Sequence, residues 1–190
     1  MHQVHLSTDF GVLGLTWTAQ ARLARVDWIA IQPQFPKSNV AQVDSEALPE
    51  KCRNLLAQLD GFLRANGPIE LDPEKDLSFL GMTAFQQKVY RAALTIPMGE
   101  TRTYSWIANK IQSPQAARAV GQALRSNPLL IFVPCHRVVG SSHVGGFMGV
   151  DDPTQPEMKL KSHLLEVEKK YRCPPFEFLE RSESSQSAWG

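Results

Sequence analysis

Between two prolines, Pro128 and Pro134, lies the longest strongly apolar run in the chain, Leu129 to Val133. Such a short run suits a buried strand and falls far short of the roughly 20 residues that a membrane-spanning helix needs. The chain must therefore bury its apolar residues by packing elements against one another. Its 190 residues, 43% of them hydrophobic, suffice for one ordinary domain or two small ones sharing a core. The run ends in Pro134, and Cys135 and His136 follow at once. A thiolate is the strongest nucleophile among ordinary side chains, and a neighbouring imidazole can take its proton or hold the water that does. Successive side chains of an extended strand point to opposite faces, so the pair cooperates only if the chain turns at Pro134 or a water bridges them. A lone cysteine beside an apolar run also reads as a small buried hydrophobe.

Upstream, Val12 to Leu15 and Leu23 to Ile31 read as antiparallel strands around a turn at Thr18 to Arg22. Pro33, Pro36, Ser38 and Asn39 interrupt the pattern. A helix is then predicted over Leu48 to Leu63 from Leu55, Leu56, Leu59 and Leu63, stopping at Asn66-Gly67-Pro68. The acidic, proline-bearing stretch from Gly67 to Asp76 is the candidate boundary between two halves, 1–76 and 77–181. Beyond it, Thr83 to Thr95 reads as a helix with Phe85, Val89, Ala92 and Ile96 on one face. Thr103 to Lys110 is a short helix, and Ser113-Pro114 opens another that Asn127-Pro128 stops. Two short helices with a tight connection suggest a helix-turn-helix. The serine-rich tail, 182–190, is expected to be disordered.

The net charge of +1 hides an uneven distribution: residues 83–150 carry seven Lys or Arg against one acid, while residues 1–82 carry seven against ten. Basic charge gathered in one segment fits a polyanion-binding surface, and equally a solvated basic face beside acidic neighbours. Within it Arg118, Gln122 and Arg125 stand at i, i+4 and i+7, beside the small Ala117 and Gly121, so that helix face could approach DNA closely. The three cysteines, Cys52, Cys135 and Cys173, are far apart and form no Cys-x-x-Cys pair, and the first five residues lack the order of a secretory signal. A reducing, cytoplasmic setting with no membrane and no metal is expected.

Thr101 to Val139, TRTYSWIANKIQSPQAARAVGQALRSNPLLIFVPCHRVV, closely resembles the active-site domain of the O6-alkylguanine-DNA alkyltransferases, also called methylated-DNA-protein-cysteine methyltransferases. The likeness reaches back through Thr83 to Val89 and forward to Glu168. It implies an α/β (α+β) fold: a small ribonuclease-H-like antiparallel sheet with a helix, then a mostly helical domain bearing a helix-turn-helix and the reactive cysteine. It implies an activity too: irreversible, once-per-molecule transfer of an alkyl group from O6-alkylguanine in double-stranded DNA to Cys135. No cofactor is needed, one chain suffices, and O4-alkylthymine is a second substrate the residues do not decide. By the same resemblance His136 acts through water on the thiol, and Glu168, rather than Glu166, orients His136. Asn127 braces the turn before the nucleophile. Tyr104 rotates the target phosphate and donates a proton to the leaving base. Arg118 fills the gap left by the flipped nucleotide, with Ala117, Gly121, Gln122 and Arg125 on the DNA-facing helix. A plainer alternative puts both acids on a charged surface helix with Lys161, Lys169 and Lys170.

The pocket implied by the resemblance comprises Val138, Phe147, Met148 and Gly149. Here the chain departs from the family, which usually shows Tyr-x-Gly-Gly where this sequence has Phe147-Met148-Gly149-Val150. Asp151 to Glu157 resembles an insertion and is read as a passive surface loop. His143 and His163 are read as packing or surface residues. A protein that binds alkylguanine and recruits other repair factors without transfer is the alternative function, and retention of Cys135 argues against it.

Overall fold

The computed structural model describes residues 2–30 and 48–171. The turn residues at 33–39, Cys173 and the serine-rich tail lie outside the described residues. Three antiparallel strands, β1 (His2–Thr8), β2 (Gly11–Trp17) and β3 (Leu23–Ala30), form one sheet in the order β1-β2-β3. The amino-terminal strand β1 was not expected from the sequence, since His2, Gln3 and His5 obscure its alternation. The turn between β2 and β3 falls where its residue types placed it. The amide of Thr18 donates to the Arg22 carbonyl at 2.8 Å, and the Arg22 amide donates to Thr18 Oγ1 at 3.2 Å.

Helix α1 (Glu50–Leu63) buries Cys52, Leu55, Leu59, Phe62 and Leu63 in the core that also takes Leu13, Leu15 and Trp17 from β2. A fully buried leucine or valine contributes about 1.5–3 kcal/mol relative to exposure, so this face holds the helix down without a side-chain cap. A one-turn helix, α2 (Pro73–Asp76), sits within the Gly67–Asp76 stretch; Asp72 caps it by accepting from the amides of Glu74 and Lys75. Helix α3 (Ala84–Leu94) opens with a reciprocal capping box between Thr83 and Gln86 and buries Val89, Tyr90, Ala92 and Ala93.

Next come the two-residue strand β4 (Arg102–Thr103) and helix α4 (Tyr104–Lys110), capped by the Thr103 hydroxyl. The following helix does not begin at Pro114 as expected. Pro114–Ala116 forms a separate 3-10 turn with no side-chain cap from Ser113, and helix α5 spans Ala117–Arg125. The helix-turn-helix pair is α4 and α5. Strand β5 (Val138–Val139) pairs in parallel with β4, which sets the start of α4 beside the residues that follow Cys135. Helix α6 (Pro156–Lys170) closes the described chain. Among the described residues no helix is long and apolar enough to cross a membrane.

Leu129 to Val133 is not the strand its apolarity suggested. All five residues are buried, but the Val133 amide turns back to the Leu129 carbonyl at 2.8 Å, and Ile131 adopts a left-handed φ of +73°. A β-branched residue rarely takes that conformation. Apolarity reported burial correctly and extension wrongly, because a run this short between prolines carries no period that separates the two.

Both halves share one core. The Val26 amide of β3 donates to the Pro128 carbonyl at 2.7 Å, and Arg22 donates to the carbonyls of Leu77 and Glu74 at 2.8 and 2.6 Å.

Candidate active site

Cys135, His136 and Arg137 form a 3-10 turn, so the chain does bend after Pro134 and consecutive side chains are not thrown to opposite faces. Cys135 is only 6% exposed, yet it lines an open cavity of about 260 Å³ with Tyr104, Leu124, Phe147 and Met148. The thiol is reachable from that cavity. Asn127 braces the turn from three sides. Its Nδ2 donates to the Val133 carbonyl at 3.1 Å and to Cys135 Sγ at 3.3 Å, and its Oδ1 accepts the Leu129 amide at 3.0 Å. Burial pushes the Cys135 thiol above its ordinary pKa, outweighing the Asn127 bond, the Lys161 charge and nearby backbone amides. At neutral pH the resting group is a thiol, so its reaction requires a base.

His136 is fully buried, and its Nε2 lies 2.7 Å from Glu168 Oε1. Glu168, also fully buried, accepts from Arg137 through Nε and Nη2 at 2.7–2.9 Å and from the Gly99 amide at 3.1 Å. Arg137 is anchored further by Nη1 on the Ile96 carbonyl at 2.7 Å. Burial opposes ionisation of Glu168, but its hydrogen bonds to His136 and Arg137 and the Arg137 charge prevail and bring its pKa down to about 2. Burial holds His136 below the ordinary imidazole value against the pull of Glu168. The imidazole is therefore neutral, with Nε2–H donating to the carboxylate, which leaves Nδ1 as an acceptor. Nδ1 is buried and has no partner among the described residues. Glu166, the rival acid, is exposed on the other side of α6.

Lys161 overturns the surface-helix reading. It is fully buried, and its ammonium donates to the carbonyls of Val138, Val144 and Gly146 at 2.9, 2.7 and 3.1 Å. Burial pushes its pKa down to about 8. One cation thus ties β5 and the loop over the cavity to α6. Arg137 and Lys161 were counted in the sequence only as basic residues. The sole available signal for Lys161 was its helical spacing with Leu164 and Glu168, an inward face that only the fold identifies.

Tyr104 lines the cavity from the start of α4, with its hydroxyl 3.4 Å from the Gly146 carbonyl, and burial raises its pKa. Gly121 faces the Tyr104 ring. Arg118 and Gln122 are exposed on the same helix, Ala117 is half-buried, and Arg125 reaches the cavity rim over Gly149. Neither Arg118 nor Arg125 has an ion pair among the described residues.

Phe147, Met148 and Gly149 line the cavity, whereas Val138 does not. Its side chain is fully buried in the core because β5 is pinned between β4 and Lys161. Of the expected Asp151–Glu157 loop, Pro156 and Glu157 open α6 instead; the remainder is exposed, Asp152 accepting from Thr154, and Asp151 touches the cavity rim. His143 is exposed, accepts the Gly145 amide at Nδ1 and covers Gly140. His163 stacks on Phe10 with ring centres 4.3 Å apart.

The profile of the 6-O-methylguanine DNA methyltransferase DNA-binding domain matches residues 84–170. A probable methylated-DNA–protein-cysteine methyltransferase of Acanthamoeba polyphaga mimivirus is 40% identical over 132 residues, which cover 70% of this chain and 81% of that protein. The methylated-DNA–protein-cysteine methyltransferase of Mycobacterium tuberculosis is 50% identical over 101 residues, 53% of this chain and 55% of its own length. The crystal structure of Mycobacterium tuberculosis OGT in complex with DNA aligns with a TM-score of 0.67 at 33% identity, covering 90% of this chain and 94% of that one. Fold, cysteine-centred cavity and likeness along most of the chain agree: this protein belongs to the methylated-DNA–protein-cysteine methyltransferase family of DNA-repair alkyltransferases.

Proposed function

We propose that Cys135 Sγ accepts the alkyl group of an O6-alkylguanine extruded from duplex DNA, once per molecule and irreversibly. The observation that carries this reading is the buried His136 Nδ1, without a partner among the described residues, on the residue next to a cavity-lining thiol. A polar atom so placed is suited to hold a water, through which the thiol proton passes to the imidazole. The thiolate then attacks the alkyl carbon in line; the S–C bond forms as the C–O bond breaks, and O6 becomes a carbonyl oxygen. Tyr104, kept protonated by its raised pKa, donates to the departing base, and in net the thiol proton passes to the purine. Glu168 and Arg137 hold His136 in the tautomer the step needs. The thioether has no ready route back to a thiol, and no second subunit enters the chemistry.

The target atom is inaccessible within a base-paired stack, and extrusion costs a few kcal/mol. Arg118, exposed and without an ion pair among the described residues, is the residue on the α5 face suited to occupy the gap, with Ala117 and Gly121 permitting close approach. Arg118→Ala should slow repair of O6-methylguanine in duplex by roughly 10- to 100-fold, corresponding to loss of about 1–3 kcal/mol of stacking, while sparing reaction with free O6-benzylguanine. Equal losses on both substrates in timed transfer assays would remove the intercalating role.

The direct test is to incubate the protein with duplex bearing O6-methylguanine and weigh the intact chain and its peptides. The expected result is one added methyl group, on the peptide containing Cys135. Tight binding of lesion duplex with no gain in mass would favour the non-transferring role instead.

A further inference from the structure

The loop over the cavity contains a two-residue hairpin. The Phe147 amide donates to the Val150 carbonyl at 2.7 Å, the Val150 amide returns to the Phe147 carbonyl at 3.0 Å, and Met148 and Gly149 have φ of +52° and +90°. Two left-handed central residues make a type I′ turn, in which Asn, Asp or Gly is favoured at the first position. Methionine pays a steric penalty there and has no short polar side chain to offset it. Its side chain lies half-buried against the core and lines the same cavity as Cys135, Tyr104 and Leu124.

Two glycines of this loop could not carry a side chain without a neighbour moving. A Cβ at Gly149 would fall 2.4 Å from Arg125 Nε, and one at Gly146 would fall 2.9 Å from the Val150 carbonyl oxygen. An adaptable element of this wall is the Met148 side chain, unbranched and polarizable.

We infer that Met148 determines which alkyl groups reach Cys135: methyl and other short groups fit beside its thioether, and bulky arylmethyl groups must displace it. This rests on the alkyl-transfer reading and adds a specificity-determining residue to it.

The test compares transfer rates from duplexes bearing O6-methylguanine and O6-benzylguanine for the unaltered protein, Met148→Gly and Met148→Leu. Met148→Gly should raise the benzyl-to-methyl rate ratio roughly tenfold without lowering the melting temperature, since glycine suits the turn. Met148→Leu, branched and stiffer, should lower that ratio. Should the glycine variant not fold, Met148→Asn makes the same comparison with another residue suited to the turn. A ratio within twofold of the unaltered protein in the folded glycine or asparagine variant, or equal acceleration on both lesions, overturns the inference. Absence of transfer from either lesion by the unaltered protein would instead mark failure of the underlying activity.

Discussion

Cys135→Ser should bind lesion-bearing duplex about as well as the unaltered chain and acquire no alkyl group from it. The hydroxyl occupies nearly the same volume, can still accept from Asn127 Nδ2, and leaves the bracing of the 3-10 turn intact. Its intrinsic acidity is far lower than a thiol's, and a neutral imidazole whose own pKa is held down by burial cannot supply the difference. Transfer should fall below detection, a loss of at least about 10⁴-fold if each 1.4 kcal/mol of barrier is a factor of ten. Two measurements suffice: gel-shift affinity for O6-methylguanine duplex and radiolabel retained on denatured protein. Retained label in the serine variant would move the acceptor elsewhere.

Glu168→Ala should be the most damaging single change to both stability and rate outside the nucleophile. It strips the Arg137–Glu168 pair, in which the carboxylate is fully buried and the guanidinium largely so, of its anion and leaves Arg137 facing only the Ile96 carbonyl, a loss that approaches the roughly 3–5 kcal/mol of a broken buried pair. The neutral tautomer of His136 loses its orienting acceptor as well, so transfer should slow by about 10²- to 10⁴-fold. Glu168→Gln, which keeps the shape, should recover part of the stability and little of the rate. The pH dependence provides a second check. The Glu168 pKa is depressed to about 2 from an ordinary 4.5, so its stabilising contribution is fully present above about 4.5 and is lost as pH falls toward 2. The depressed pKa of His136 acts in the same sense below its ordinary value of 6.5. Urea midpoints should therefore fall with acidification in the unaltered chain and fall less steeply in Glu168→Ala. Parallel pH profiles for the two proteins would show that the carboxylate is not the ionised anchor described above.

The positions of α1 and α3 were legible because stops and helical spacing are local properties: Leu55 with Leu59, and Val89 with Ala92, each state their role within a few residues, whereas the cap expected of Ser113 did not form. The cluster around Cys135 was legible through a linear motif and its family likeness, and the structure brings Cys135, His136, Asn127, Tyr104 and Glu168 to one place. What escaped was set by contacts distant in sequence. Lys161 looked like any helix lysine until three carbonyls from the 138–146 segment closed around it. Arg137 became an anchor only when α6 delivered Glu168. Val138 was displaced from the cavity wall by the pairing of two-residue strands that no periodicity marks. The apolar run before the nucleophile was misread as extended for the same reason: its turn depends on Asn127 and on the strand lying against it.

That last contact gives the amino-terminal sheet an indirect share in the reaction. The bond from the Val26 amide to the Pro128 carbonyl holds one end of the loop that aims the sulfur, although none of the residues lining the cavity belongs to β1, β2 or β3. Inherited changes that slacken this buttress would surface as sluggish lesion clearance in a protein that still folds, and a search confined to the cavity would overlook them.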